Sequence, residues 1–329
     1  MATTFSSLPI VDLHPMESSH KLGKGQQRDL ASRLYDVFTT TGFAYLVNHP
    51  LSFDHEAVFK LNMDFFSLPT NEKMKLAKRS FRKDHLNTYR GYFPTQPDLA
   101  SDNLKEGFEI GPQNLMPLTS ASNKTSNIHL PKINLSEHNI WPVPTLEQLH
   151  NELQYLASTL LSLLAISLGK DADFFSSYLT DSLSTLRLLH YPTTSSSAHS
   201  QGQELLSSGS VELSCTPHTD SGILTLLHRD ATGGLEVQNS DGKWVAAPYV
   251  PESIVVNTGD LMAKGSGGRF VATMHRILLR QSRFSVPFFF EPGEKCVIKS
   301  VDDADGVGSV VYGEHVRAKM KTWVEFRDL

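Results

Sequence analysis

In Thr216-Pro217-His218-Thr219-Asp220-Ser221-Gly222 a histidine and an aspartate stand two residues apart, at the mouth of an apolar, β-branched run. Residues i and i+2 of a strand share a face, so this spacing predicts an imidazole and a carboxylate side by side. Both groups are metal ligands, and together they supply two of the three donors of an open metal face. His275, in Thr273-Met274-His275-Arg276-Ile277, is the leading candidate for the third.

Two histidines and one carboxylate on one face of an ion form the donor set of non-haem Fe(II) oxygenases. The opposite face stays open to exogenous ligands. Downstream, Arg283-Phe284-Ser285 places a guanidinium and a hydroxyl on one strand face. A planar guanidinium meets a carboxylate through two parallel hydrogen bonds and keeps its charge when buried, so Arg283 and Ser285 read as a carboxylate clamp. One His-x-Asp pair alone is weak evidence, because the chain holds a second in His228-Arg229-Asp230. That copy runs into Ala231-Thr232-Gly233-Gly234, a turn signal, which predicts that its side chains are solvated.

The elements that must position these residues change in texture along the chain. Leu30, Leu34, Val37 and Phe38 recur at helical spacing up to Gly42, and a strand is predicted over 43–47. Val58, Leu61 and Phe65 mark a second helix stopped by Pro69. Thr145-Leu146-Glu147-Gln148 has the form of a capping box, and Leu149, Leu153, Leu156, Leu160 and Leu164 extend a long helix to Gly169. From residue 185 onward, short apolar runs at 186–191, 222–227, 234–237, 244–246, 253–256, 270–279 and 284–290 alternate with Gly, Asp, Asn and Pro. Strands at this spacing predict a β-sandwich or barrel, of which a double-sheet jelly roll is one closed solution. With no clean linker, one domain is expected over 1–329: a mainly helical portion over 1–184, a jelly-roll core over 185–295 and a C-terminal segment over 296–329. Two Ser/Thr/Asn-rich stretches, 118–139 and 193–209, read as loops, and the second is a candidate lid because it precedes the His218 strand.

Composition narrows the class. The chain has 329 residues, 40% of them hydrophobic, which is enough to bury a full core. A net charge of -5 without a dominant basic block argues against a nucleic-acid partner. Two cysteines and a first stretch without a basic or apolar leader pattern predict a reducing, cytoplasmic setting. The leucine-rich stretch near 160–168 is too short to span a bilayer, so no membrane association is expected. A small organic substrate fits this balance better than a polymer, and the oligomeric state is left open.

Over 186–290, and more loosely over the whole chain, the sequence resembles the isopenicillin-N-synthase-like group of Fe(II)/2-oxoglutarate-dependent dioxygenases. The resemblance is carried by Pro217-His218-Thr219-Asp220-Ser221-Gly222, Gly233-Gly234-Leu235-Glu236-Val237, Val255-Val256-Asn257-Thr258-Gly259-Asp260, His275-Arg276 and Arg283-Phe284-Ser285. Leu8-Pro9-Ile10-Val11-Asp12 and Gly42-Phe43-Ala44-Tyr45-Leu46-Val47-Asn48-His49 are similar to the family's opening. The resemblance implies a mixed α and β fold, with a double-stranded β-helix (jelly roll) core and flanking helices. It implies Fe(II) on His218, Asp220 and His275, with 2-oxoglutarate and O2 as co-substrates. Arg283 and Ser285 would hold the distal carboxylate of 2-oxoglutarate, and Tyr191 would lie near the co-substrate. Leu189 stands where plant members often carry Asn, and the gap from His275 to Arg283 is shorter than usual.

The activity so implied is oxidation of a C–H bond of a small molecule, such as a specialised metabolite, by hydroxylation, desaturation or rearrangement, with release of succinate and CO2. An iron-dependent oxidase whose own substrate carboxylate fills the Arg283 and Ser285 clamp has the same residues, and a silent binder on the same fold is the third alternative. Tyr89-Arg90-Gly91-Tyr92, Phe108 and Phe289 fall in regions that line the pocket of similar proteins, although aromatic residues there are more often core.

Overall fold

The computed structural model describes residues 3–16, 22–96, 105–112, 134–139, 144–192, 213–278, 281–303 and 308–321. Its helices are α1 (Lys24–Thr40), α2 (His55–Phe66), α3 (Thr70–Lys75), α4 (Pro144–Ser167), α5 (Asp260–Gly265) and α6 (Tyr312–Met320). Its first strands are β1 (Ile10–Asp12), β2 (Phe43–Val47), β3 (Gly91–Phe93), β4 (Glu106–Ile110), β5 (Thr185–Tyr191), β6 (Leu213–His218) and β7 (Leu224–Arg229). They are followed by β8 (Leu235–Gln238), β9 (Trp244–Ala246), β10 (Ile254–Thr258), β11 (His275–Leu278), β12 (Arg283–Phe290), β13 (Val297–Ile298) and β14 (Val310–Val311).

Two sheets face each other across the site. The main sheet has eight strands in the order β1-β2-β10-β7-β12-β5-β4-β3, and the minor sheet four in the order β6-β11-β8-β9. Apart from the parallel pair β1 and β2, the neighbours in both sheets are antiparallel. Side chains alternate across the main sheet, as a half-buried pleat requires. One set, including Leu186, Leu188, Leu224, Leu226, Val286 and Phe288, joins the helices in the larger apolar core. The other set, including Phe43, Tyr45, Leu189, Tyr191, Val255 and Leu227, faces the minor sheet in a second, smaller cluster.

The helices that brace the sheet form where the apolar spacing predicts them. Leu30, Leu34, Val37 and Phe38 of α1 and Leu149, Leu153, Leu156, Leu160 and Leu164 of α4 are buried, and the two helices pack on each other. Each buried leucine contributes about 1.5–3 kcal/mol relative to an exposed one. The long helix stops near the predicted glycine: Gly169 has φ 74°, and the Lys170 amide donates to the Ala165 carbonyl at 3.0 Å. Asp54 caps α2 by accepting from the Ala57 amide at 2.8 Å, and α2 lies across β12 and β5. At Gly42, φ is 69°, and a Cβ would collide with Thr273 Oγ1 and the Val271 carbonyl. The turn between α1 and β2 therefore packs directly against the segment leading to His275.

The first half also supplies β1 to β4, half of the main sheet, where the helical periodicity predicted little beyond 43–47. β3 and β4 are short and contain Gly91 and Gly107, so neither carries a long alternating pattern. Of the predicted strand over 270–279, the described residues 270–278 form strand at His275–Leu278. The candidate lid at 193–209 and most of the loop at 118–139 lie outside the described residues. Among the described residues no helix is long and apolar enough to cross a membrane.

Candidate active site

His218 is the last residue of β6, and Asp220 lies in the turn beyond it, so the two do not share one strand face as their spacing predicted. The turn brings them together instead. The Asp220 carbonyl accepts from the Asp260 amide at 2.8 Å, and its carboxylate points to the main sheet. There Oδ2 accepts from Thr225 Oγ1 at 2.6 Å and from Asn257 Nδ2 at 2.8 Å. His275 opens β11 directly opposite His218, with ring centroids 4.2 Å apart. Asp220 Oδ1 is 3.9 Å from His218 Nε2 and 3.8 Å from His275 Nε2. Among the described residues this is the one cluster of three or more His, Cys, Asp or Glu side chains close enough to share an ion.

Each imidazole is oriented in the same way. Nδ1 of His218 donates to the Thr216 carbonyl at 2.7 Å, and Nδ1 of His275 to the Thr273 carbonyl at 3.2 Å. A proton fixed on Nδ1 leaves the Nε2 lone pair for a metal. Burial lowers the pKa of His275, which favours its neutral, ligating form. Burial pushes the Asp220 carboxyl up, but the facing imidazoles of His275 and His218 and the bonds from Asn257 and Thr225 hold it below the usual range. His218 is shifted the other way: burial opposes it, but Cys215, Asp220 and the Thr216 carbonyl raise its pKa to about 9, so a divalent ion such as Fe(II) must displace a proton from this imidazole to use the donor set.

The inner face of the main sheet carries the rest in rows set by register. Phe43, Asn257, Thr225, Phe289 and Thr185 pair successively across β2, β10, β7, β12 and β5, forming the row nearest Asp220. Phe43 meets His275 edge-on at 5.2 Å. Further along the same face, Ser285 pairs with Leu189 and Arg229, and Arg283 pairs with Tyr191. The Arg283 guanidinium carbon lies 4.9 Å from the centre of the Tyr191 ring. From α2, Asn62 Nδ2 donates to the carbonyls of Leu189 at 3.3 Å and Ser285 at 3.1 Å, locking β5 to β12.

Arg283 is 1% exposed, yet its Nε and Nη1 have no hydrogen-bond partner. Among the described residues no carboxylate pairs with it. A buried cation without an anion costs several kcal/mol unless a ligand compensates it. A carboxylate of a bound ligand would supply that compensation. The residues present therefore fit both an Fe(II) ion and a 2-oxo dicarboxylate.

In the second His-x-Asp motif His228 is buried, contrary to its predicted solvation, while Asp230 is only half-buried. β7 continues to Arg229, so His228 and Arg229 are each 1% exposed, His228 on the helical side and Arg229 on the inner face beside Ser285. Arg229 donates to the carbonyls of Ala247 and Pro248 and to Tyr45 Oη. Asp230 serves the following turn, accepting from the amides of Thr232 at 3.0 Å and Phe284 at 2.5 Å. Phe289 lies in the row nearest the ion site, whereas Tyr92 and Phe108 pack in the helical core, with Phe108 stacked on Phe65 at 4.5 Å. Sequence reasoning missed Thr225, Asn257, Asn62 and Arg229. The first two stand inside motifs already singled out, but their aim at Asp220 arises from strand pairing.

Comparison with known proteins agrees with this geometry. The sequence model of the 2OG-Fe(II) oxygenase superfamily matches residues 183–292, and that of the non-haem dioxygenase in morphine synthesis N-terminal region matches residues 8–143. A 2-oxoglutarate-dependent dioxygenase of Didymella fabae is 31% identical over 321 residues, covering 91% of this chain and 90% of that protein. Clavatol oxidase of Penicillium crustosum is 30% identical, covering 95% of each. The crystal structure of a full-length Neurospora crassa protein in complex with alpha-KG superposes with TM-score 0.73 at 24% identity, covering 97% of both chains. A further structure of that protein, with alpha-KG and 5-formyluracil, has TM-score 0.73 at 25% identity and covers 96% of both. With the fold, a donor set fitted to iron and relatives matched along nearly its whole length, the chain belongs to the 2OG-Fe(II) oxygenase superfamily, as a non-haem Fe(II)- and 2-oxoglutarate-dependent dioxygenase.

Proposed function

We propose that His218, Asp220 and His275 are the iron ligands, and that Arg283 and Ser285, beside Tyr191, hold the distal carboxylate of 2-oxoglutarate. The enzyme oxidises a C–H bond of a small organic molecule of specialised metabolism, with release of succinate and CO2. Residues 1–329 act as one oxygenase domain, with β1 to β4 completing the sheet that carries the clamp. The observation that carries this reading is the buried, uncompensated Arg283 guanidinium on the sheet face shared with Thr225, which orients Asp220. When bound, iron with 2-oxoglutarate and O2 supplies the oxidising chemistry.

The protein's own groups do the positioning. Thr216 and Thr273 fix the imidazole tautomers, while Thr225 and Asn257 occupy Oδ2 of Asp220 and leave Oδ1 facing the two Nε2 atoms. Arg283 orients the co-substrate by charge and shape. Phe43 and Phe289 line the row nearest the ion with apolar surface and limit the access of water.

Succinate release from 2-oxoglutarate on admitting O2 to the anaerobic Fe(II) protein tests the proposal. Basal succinate is expected from wild type and none above background from Asp220→Ala. Succinate formed equally by both would remove Asp220 from the ligand set.

A further inference from the structure

We propose that Ser282, His190 and Glu106 form a second catalytic site, a serine nucleophile with its general base and orienting carboxylate, whose substrates are small aryl esters of apolar acids. The site is separate from the iron site and does not depend on the residue roles proposed there.

Three neighbouring strands of the main sheet bring the set together on the face turned to the helices. Glu106 of β4 and Phe284 of β12 both pair in register with His190 of β5. Ser282 stands two residues before Phe284 and shares its face, opposite to that of Arg283. His190 Nε2 lies 3.1 Å from Ser282 Oγ, and His190 Nδ1 lies 2.8 Å from Glu106 Oε1. Ser282 is exposed, whereas the side chains of His190 and Glu106 are 19% and 11% exposed. A nucleophile open to solvent is thus backed by a base and a carboxylate that packing holds in place.

An ionised carboxylate only accepts hydrogen bonds, so Nδ1 of neutral His190 carries the proton and the Nε2 lone pair is turned to the Ser282 hydroxyl. Glu106 is itself held: Oε2 accepts from Lys73 Nζ at 2.8 Å and from Tyr92 Oη at 2.6 Å, which leaves Oε1 for the imidazole. Burial raises its pKa, but the bonds from His190, Lys73 and Tyr92 bring it to about 2, so it is ionised at neutral pH. Lys73 balances its charge, and its part is therefore to fix the tautomer and the ring plane. In the reaction Ser282 Oγ attacks the acyl carbon while His190 Nε2 takes the hydroxyl proton. The C–O bond to the aryl group then breaks, and the leaving phenol departs with that proton. Water repeats the cycle on the acyl-serine, releasing the acid and restoring both side chains. His190 is stacked on Phe284 at 4.6 Å and lies 5.5 Å from Phe66, and Met63, one turn before Phe66 on α2, is 47% exposed. These apolar neighbours favour an aromatic leaving group and an apolar acyl chain.

Two probes, 4-nitrophenyl hexanoate and diisopropyl fluorophosphate, are applied to the anaerobic Fe(II) protein. The fluorophosphate should phosphorylate Ser282, located by peptide mass spectrometry, at least about 100-fold faster than any other serine, the scale of general-base assistance. Release of 4-nitrophenolate from the ester should fall at least about tenfold in Ser282→Ala. His190→Gln removes the base and should slow phosphorylation of Ser282 to the rate of the other serines. Glu106→Gln is the sharper variant, because Lys73 and Tyr92 claim the amide oxygen and turn its NH2 group to His190, which moves the imidazole proton to Nε2. Phosphorylation of Ser282 should then slow at least about tenfold, whereas a purely structural Glu106 predicts no change in a folded variant. If Ser282 of wild type reacts no faster than the other serines, the proposal is overturned whether or not any variant folds. Ester hydrolysis unaltered in Ser282→Ala, or phosphorylation of Ser282 unaltered in a folded His190→Gln or Glu106→Gln protein, overturns it as well.

Discussion

Asp220 and Asp230 share a His-x-Asp spacing and have opposite fates. Oδ1 of Asp220 faces two imidazoles, whereas both oxygens of Asp230 accept from backbone amides. Asp220→Ala should abolish iron binding, measured by metal content after reconstitution, and with it turnover. Asp230→Ala should keep full iron content and lose about 1–3 kcal/mol of stability in denaturant unfolding, as two amides lose their partner. Equal iron loss in both would contradict the assignment. Arg229 makes a subtler case, since it lies beside Ser285 and adds positive potential to the clamp. Arg229→Gln should weaken 2-oxoglutarate binding by about threefold to tenfold while leaving iron affinity unchanged, as removal of a neighbouring charge rather than of a direct contact predicts.

The cluster of His218, Asp220 and His275 and the residues of the proposed clamp were legible because each sits in a short run of sequence whose chemistry is local. His275 needed only a second histidine with an Arg-x-Ser pair behind it. The misreading of His228 and Arg229 has an equally local cause: the turn signal at Gly233-Gly234 is real, with φ of 78° and 92°, but β7 runs two residues beyond the predicted strand end. Each extra strand residue decides on which face a side chain is buried. Thr225, Asn257 and the set of Ser282, His190 and Glu106 are products of pairing between distant segments, and no spacing along the chain encodes them.

Among the elements, the turn from α1 into β2 and the segment leading into β11 form one unit. Gly42 touches Thr273 and Val271, Thr273 Oγ1 donates to the Thr41 carbonyl at 2.8 Å, and the Thr273 carbonyl orients His275. An alanine at 42 forces a Cβ into this contact at a positive φ. Gly42→Ala should therefore cost about 2 kcal/mol or more, and it should lower iron affinity as well as the unfolding midpoint. A midpoint change with unaltered iron affinity would show that the turn braces the fold but not His275. The same reasoning applies to α2, which reaches β5 and β12 through Asn62, so the spacing of the strands that carry Leu189 and Ser285 depends on that helix.

At the scale of the whole molecule, buried titratable groups set the acid limit of stability. Burial, with His49 and His55 adding to it, lowers the pKa of His228 to about 3 from 6.5. The folded state therefore resists a proton that the unfolded chain accepts, and stability falls as pH drops from about 6.5 towards 3. Glu106 adds a second loss. Burial raises its pKa, but bonds from His190, Lys73 and Tyr92 outweigh that and hold it at about 2, below the ordinary 4.5. Its contribution is complete above about 4.5 and disappears as pH falls towards 2. His228→Phe should flatten the decline between pH 6.5 and 4, by up to a few kcal/mol, in denaturant unfolding at stepped pH. An unchanged slope would mean that His228 is hydrated or partnered in solution.

The central claim is that one face of this jelly roll binds an iron ion at one end and the far carboxylate of its co-substrate at Arg283. The most direct measurement compares 2-oxoglutarate with 2-oxobutanoate, which keeps the 2-oxo acid but lacks the distal carboxylate. Both are titrated anaerobically into the Fe(II) protein while the metal-to-ligand charge-transfer absorption is followed. The account predicts that wild type binds 2-oxoglutarate at least about 100-fold more tightly, the scale of a buried charge-assisted pair, and that Arg283→Gln loses this preference while retaining its iron. Equal affinities in wild type, or a preference that survives in Arg283→Gln, would contradict it.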